Sequence, residues 1–163
     1  MMESPDSKPG SSARETRAFP ELVKRLEAGE AIPDWVTRLD RTAFGAAWKH
    51  PAEHEVLWLM PEVAFARWAC VSAAGEAELL RIAVDPVHRG QGLGRRLLEA
   101  CQREMAEAGM VNLFLEVRAA NAAAIQLYGR CGWRRCGLRP GYYPDGEDAL
   151  LFRCAAPQVI KSE

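Results

Sequence analysis

Hydrophobic positions divide the chain by period. Leu22, Val23 and Leu26 recur at helical spacing between Pro20 and Glu30, which predicts a short helix ending near Gly29. Ile32, Trp35, Val36 and Leu39 form a second apolar stripe, and Pro33 is tolerated in a first turn, so a helix is expected over about residues 33–43. An irregular stretch follows, with Phe44 and Trp48 as its anchors. Val56–Met60, Ala64–Ser72 and Glu78–Val84 then read as antiparallel strands, rich in aromatic and branched residues and separated by Pro61 and Ala74-Gly75-Glu76. After Asp85-Pro86 a glycine-rich turn opens a long helix, with Leu93, Leu97, Cys101 and Met105 every four residues and Gly109 closing it. Leu113–Val117 reads as a buried strand, and Asn121 as the cap of a helix through Gly129 or Arg130 that carries Ile125 and Tyr128. Trp133–Leu138 and Asp148–Cys154 complete the pattern as a strand pair joined through Tyr142-Tyr143-Pro144-Asp145-Gly146. This order predicts a mixed α/β domain with helices packed on a central sheet.

The chain has 163 residues, enough for one domain with a real core. Residues 1–18 are rich in Ser, Pro, Gly and alternating charge and are expected to be a disordered tail; residues 19–30 are an N-terminal helical segment, 31–155 the folded domain and 156–163 a C-terminal tail. The longest apolar run, Val56–Met60, is far short of the ~20 residues that cross a bilayer. The first thirty residues show no signal-peptide pattern, and a cytoplasmic protein is expected. Five cysteines without a Cys-x-x-Cys argue against a disulfide framework or a zinc knuckle. The net charge is -1, so a nucleic-acid partner is not expected. That total hides an asymmetry: residues 81–140 carry ten Arg against five acids. A compact polyanion would suit such an excess; solvated surface arginines are the other reading.

The stretch Val84-Asp85-Pro86-Val87-His88-Arg89-Gly90-Gln91-Gly92-Leu93-Gly94-Arg95-Arg96 narrows the choice. It links a strand to a helix, its glycines permit close backbone approach, and the helix start presents unpaired N–H groups with the positive dipole end. Those are the properties of a phosphate site. A Rossmann Gly-x-Gly-x-x-Gly fails because the sixth position from Gly90 is Arg95, and no Gly-Lys-Ser/Thr follows for a Walker loop. A glycine-rich connector without a ligand is the alternative.

The spacing Arg89-x-x-Gly92-x-Gly94 resembles the acyl-CoA pyrophosphate signature of the GNAT superfamily of N-acetyltransferases. Ile82-Ala83-Val84-Asp85-Pro86, Leu115-Glu116-Val117-Arg118-Ala119-Ala120-Asn121, Leu127-Tyr128, Gly132-Trp133 and Gly141-Tyr142-Tyr143-Pro144-Asp145-Gly146-Glu147-Asp148 are similar to its RimI-like branch, over about residues 31–155. The resemblance implies an α/β (α+β) GNAT fold, a central mixed and mostly antiparallel sheet flanked by helices. It implies acetyl-CoA as co-substrate without a metal, and direct acetyl transfer to a protein N-terminus. The branch's usual substrate is the N-terminal alanine of ribosomal small-subunit protein eighteen. A ribosomal protein is accordingly the candidate partner, with no direct nucleic-acid or membrane contact, for an enzyme working as a monomer. The front departs from the family, which opens with a strand where residues 1–30 offer a helix-like stretch.

Carried onto this sequence, the resemblance makes Glu116 the proton acceptor and Tyr128 the proton donor. An α-amino group titrates near ~8, so a modest base acting through water suffices to deprotonate it, whereas a lysine near ~10.4 demands more. Glu116 interrupts the apolar strand Leu113–Val117, where a carboxylate needs a reason; an ion pair with Arg118 or Arg81 is the other explanation. Tyr128 can protonate a leaving thiolate, or it is a core tyrosine. Ile82, Ala83 and Val84 would supply oxyanion N–H groups, and Arg89, Gly90, Gln91, Gly92, Leu93, Gly94, Arg95 and Asn121 would hold the coenzyme. Phe44, Trp48, Tyr142 and Tyr143 would line the acceptor groove, with sheet-edge packing as the alternative for the tyrosine pair. His50 and His54 have helical ligand spacing, but Pro51 spoils the helix and no third ligand is near. Two other functions remain open: a GNAT enzyme acting on lysine or a small amine, and a CoA-binding module without catalysis.

Overall fold

The computed structural model describes residues 23–26, 29–48 and 51–158. Among these, seven strands form one sheet in the order β1-β2-β3-β4-β5-β7-β6. The strands are β1 (Lys24–Leu26), β2 (Glu55–Met60), β3 (Ala64–Val71), β4 (Glu76–Val84), β5 (Asn112–Arg118), β6 (Arg134–Arg139) and β7 (Ala149–Ala155). Helices α1 (Asp34–Phe44), α2 (Leu93–Glu107) and α3 (Ala122–Arg130) flank the sheet. Every strand pair is antiparallel except β4 with β5, which is parallel through the α2 crossover. This is the mixed α/β architecture expected from the order of elements, with the mostly antiparallel sheet that the resemblance implies.

Two apolar layers hold it together. Leu97, Leu98, Cys101 and Met105 of α2 pack with Trp68, Leu79, Leu113, Leu115 and Phe152 on one face of the sheet. Val36 and Leu39 of α1 pack with Leu57, Leu59, Phe65 and Ala83 on the other. β2 and β3 lie under both helices, which is why Val56–Met60 and Ala64–Trp68 are buried without alternation. β5 keeps its alternation: Leu113, Leu115 and Val117 face α2 and α3, and Phe114, Glu116 and Arg118 face the opposite side.

The front of the chain corrects the sequence reading. The helix expected between Pro20 and Glu30 is replaced, where the chain is described, by β1, whose Lys24–Leu26 pair with Leu57–Leu59 of β2. A helix of about ten residues is marginal by itself, whereas the open edge of β2 supplies backbone partners and a pocket for Leu26. The expected tail at 1–18 and most of 156–163 lie outside the described residues. Trp68 is fully buried, its ring 6.3 Å from that of Trp133. Trp68→Ala is expected to lower unfolding stability by about 3–5 kcal/mol, read as a shift of the urea midpoint.

Candidate functional site

The parallel ladder between β4 and β5 is short. Pairing runs from Glu76↔Asn112 to Leu79↔Leu115 and stops, although β4 continues to Val84 and β5 to Arg118. On its other edge β4 carries a bulge: Leu79 faces Trp68 and Arg81 faces Arg67, leaving Leu80 without a partner. A bulge bends and twists its strand, and beyond this one Ile82–Val84 and Glu116–Arg118 stand across an opening in the sheet. Backbone N–H groups facing it have no ladder partner.

At the top of β4 the chain enters the glycine turn. Asp85 accepts a hydrogen bond from the Val87 N–H at 3.0 Å, and Arg89 folds back so that its Nε donates to the Val84 carbonyl at 3.0 Å. Gly90 and Gly92 have φ of 73° and 75°, and nothing stands within 4 Å of where a side chain would begin. Gly92 occupies the N-cap of α2 without a side chain to satisfy the first N–H groups. Gly94 does different work: an added Cβ would come 3.3 Å from Val84 Cγ2, so its bareness lets α2 sit against the strand end. Leu93 packs into the core; Gln91 is exposed. Arg95 pairs with Glu99 along the helix at 2.7 Å. Asn121 caps α3, its Oδ1 accepting from the Ala124 N–H at 3.1 Å.

The arginine excess is not gathered at this turn. Arg89, Arg95 and Arg96 flank it, but Arg134 and Arg135 lie on β6 at the far edge of the sheet, and Arg81, Arg118 and Arg139 serve carboxylates on the opposite face. A tally along the sequence could not separate these places.

Glu116 faces the side away from α2 and α3, as its alternation requires. Its partner is neither Arg118 nor Arg81 but Arg139 of β6, Nε to Oε1 2.7 Å. Arg118 instead binds Asp145 and Glu147 of the β6–β7 loop, at 2.8 and 2.7 Å, and the backbone N–H groups of Glu147 and Ala120, with Arg118 behind them, hold the two carboxyls below the usual range. The Tyr142 hydroxyl hydrogen-bonds Glu116, and that bond raises the phenol's pKa. Tyr143 meets Tyr142 edge-on at 5.2 Å and stacks under the Arg118 guanidinium at 4.0 Å. Tyr128 is buried against Trp133 and Phe152, on the opposite face of β5 from Glu116. Burial pushes its phenol well above the ordinary range. Tyr143 stands within electrostatic reach of both Tyr128 and Glu116. Beside Glu116 a cavity of about 250 Å³ is lined by Glu78, Phe114, Cys136, Arg139 and Leu151.

Phe44 and Trp48 are half-exposed, and both rings lie on the guanidinium of Arg81, at 4.6 and 4.5 Å. His50 lies outside the described residues, and His54 is exposed on a turn. Among the described residues no group of three His, Cys, Asp or Glu side chains is arranged to hold a metal, and no helix is long and apolar enough to cross a membrane.

A family model for the acetyltransferase (GNAT) family matches residues 14–133. The chain belongs to that family. Family members use acetyl-CoA as acetyl donor. The chain is 52% identical over 80 residues to a ribosomal protein bS18-alanine N-acetyltransferase of Escherichia coli, covering 47% of this chain and 54% of that one. It is 46% identical over 79 residues to the N-alpha-acetyltransferase RimI of Mycobacterium tuberculosis, covering 48% of each. The chain thus spans about half the length of the curated relatives it matches. A crystal structure of the ribosomal-protein alanine N-acetyltransferase from Escherichia coli superposes with a TM-score of 0.71 at 32% identity, over 86% of this chain and 97% of that one. The GNAT fold, with a RimI-like member as structural neighbour, is thereby established.

Burial raises the thiol pKa of Cys101 to about 12 and of Cys131 to about 11, while Cys136 is exposed at the cavity rim. Iodoacetamide at neutral pH is therefore expected to modify Cys136 first, and Cys101 and Cys131 only after denaturation. Peptide mass mapping reads the order.

Proposed function

We propose that this chain is an acetyl-CoA-dependent N-alpha-acetyltransferase, working in the cytoplasm on a protein N-terminus, with the N-terminal alanine of ribosomal small-subunit protein eighteen as the candidate acceptor. The observation that carries the reading is the parting of β4 and β5 directly below an uncapped helix start. Both leave backbone donors unpaired, and the turn follows Val84 directly in sequence. The bare Gly90 and Gly92 suit a diphosphate, which the α2 N-terminus favours electrostatically. The unpaired edge along Ile82–Val84 suits the extended arm behind it. The names of the relatives in the RimI-like branch support the choice of a protein N-terminal acceptor.

On this reading each residue has a defined task. Glu116, held in place by Arg139 and Tyr142, takes the proton from the acceptor's ammonium group through water. N–H groups along Ile82–Val84 stabilise the negative charge that develops on the acetyl oxygen, a contribution commonly of ~3–4 kcal/mol. Tyr128 gives its proton to the departing sulfur as the C–S bond breaks and the C–N bond forms. The acetyl group passes directly to nitrogen, so no cysteine is acylated. Tyr142 and Tyr143 flank the acceptor at the open end of β5, opposite the Phe44–Trp48 segment.

Glu116→Gln and Tyr128→Phe are each expected to lower turnover on a peptide beginning Ala-Arg by about tenfold or more, some 1.4 kcal/mol in the barrier, while coenzyme affinity stays within about twofold. Steady-state kinetics with calorimetric titration of CoA checks both; full turnover in either variant contradicts that residue's task. The sign of the Tyr128 shift sets the pH behaviour. A raised pKa keeps the donor protonated as pH increases, so kcat should show no loss of this proton below about pH 10. A fall centred between pH 8 and 9 that vanishes in Tyr128→Phe would contradict the assignment.

A further inference from the structure

We infer that Arg81 is a positioning residue for the acceptor side of the site: its guanidinium, in contact with the rings of Phe44 and Trp48 and paired with Asp40, fixes the segment after α1 against β4. The inference rests on the proposed transferase reading and extends it to a residue outside the reacting groups. Arg81 Nη1 lies 2.7 Å from Asp40 Oδ1 and 2.9 Å from the carbonyl of Ala46, and the Trp48 N–H donates to the other oxygen of Asp40. The Phe44 and Trp48 rings lie on the same guanidinium. One side chain thus touches residues 40, 44, 46 and 48, which form the last turn of α1 and the segment that leaves it.

Packing alone does not explain this arrangement. Arg81 faces Arg67 across the β3–β4 pair, a like-charge contact that ordinarily destabilises a sheet. Each is neutralised separately, Arg81 by Asp40 and the buried Arg67 by Glu55, and the Trp48 ring stacks over both. Buried ion pairs are commonly replaceable by apolar residues without loss of stability, so two ion pairs whose arginines share one indole make geometric specificity the more economical explanation. Arg81 also immediately precedes Ile82–Val84, the open edge of β4. Like Glu116 it faces the α1 side, on the neighbouring strand across the opening. The guanidinium therefore ties the acceptor wall to the strand that carries the thioester.

Lysine keeps the charge and the Asp40 pair but loses the planar face that both rings need. In the full chain, Arg81→Lys is expected to raise KM for an N-terminal peptide by about fivefold or more, with KM for acetyl-CoA and kcat within about twofold. Amide hydrogen exchange at residues 44–48 should quicken while β5 and α2 keep their protection. Phe44→Leu, at a half-exposed position, removes one of the two ring contacts to Arg81 and should raise the peptide KM in the same direction. If wild-type protein acetylates the peptide and Arg81→Lys leaves its KM and the exchange at 44–48 unchanged, the positioning role is overturned by itself. If both KM values and the melting temperature move together, Arg81 is structural only and the role is likewise overturned. A wild-type chain that acetylates no N-terminal peptide overturns the transferase reading, and this role with it.

Discussion

The structure depends on one unfinished ladder. β4 and β5 are joined by four in-register pairs and then separate, while each keeps its other neighbour, β3 on one side and β7 on the other. A sheet normally leaves no interior backbone unpaired, because a desolvated N–H or C=O costs about as much as a lost hydrogen bond. Here the cost is confined to the last residues of two strands, and the Leu80 bulge in β4 marks where it begins. The helix that follows adds a second set of unpaired donors, left free by Gly92 at the N-cap.

Charge is distributed around that opening in matched pairs. Glu116 has Arg139, Asp40 has Arg81, Glu55 has Arg67, and Glu147 has Arg118. The buried pairs lie under the α1 side, where they fix geometry; the pairs of Arg139 and Arg118 are more exposed and reach the loop that carries Tyr142 and Tyr143. Arg139 is half-exposed while Glu116 is largely covered, so this pair is screened more than the two under α1. The stiffer pairs thereby fix α1 and the segment after it on β3 and β4, and the more exposed ones tie β5 to β6 and the β6–β7 loop.

Much of this was legible in the sequence where local chemistry decides the outcome. The stripe from Leu93 to Met105, the Asn121 cap and the strands from Glu55 to Val84 follow from spacing and turn residues within one segment. β1 did not, because Leu22, Val23 and Leu26 satisfy a helical period and only the distant edge of β2 selects a strand. The ion pair of Glu116 has a related basis: Arg118 is its sequence neighbour on the same face, yet two acids of the β6–β7 loop hold Arg118, and β6 brings Arg139 to Glu116. Phe44 and Trp48 read as groove residues, but their stacking on Arg81, about 35 residues away, carries no local signal. Tyr128 and Glu116 were both legible as candidates, whereas their placement on opposite faces of β5 emerges only from the sheet.

The central claim is that the opening between β4 and β5, with the turn above it, is where the coenzyme lies. Amide hydrogen exchange of the full chain with and without acetyl-CoA tests it most directly. The account predicts that protection rises at Ile82–Val84 and at Gly90–Arg95 together, with little change along β2, β3 and β6. Unaltered exchange in both segments, while acetyl-CoA at saturating concentration protects another part of the chain, would contradict it.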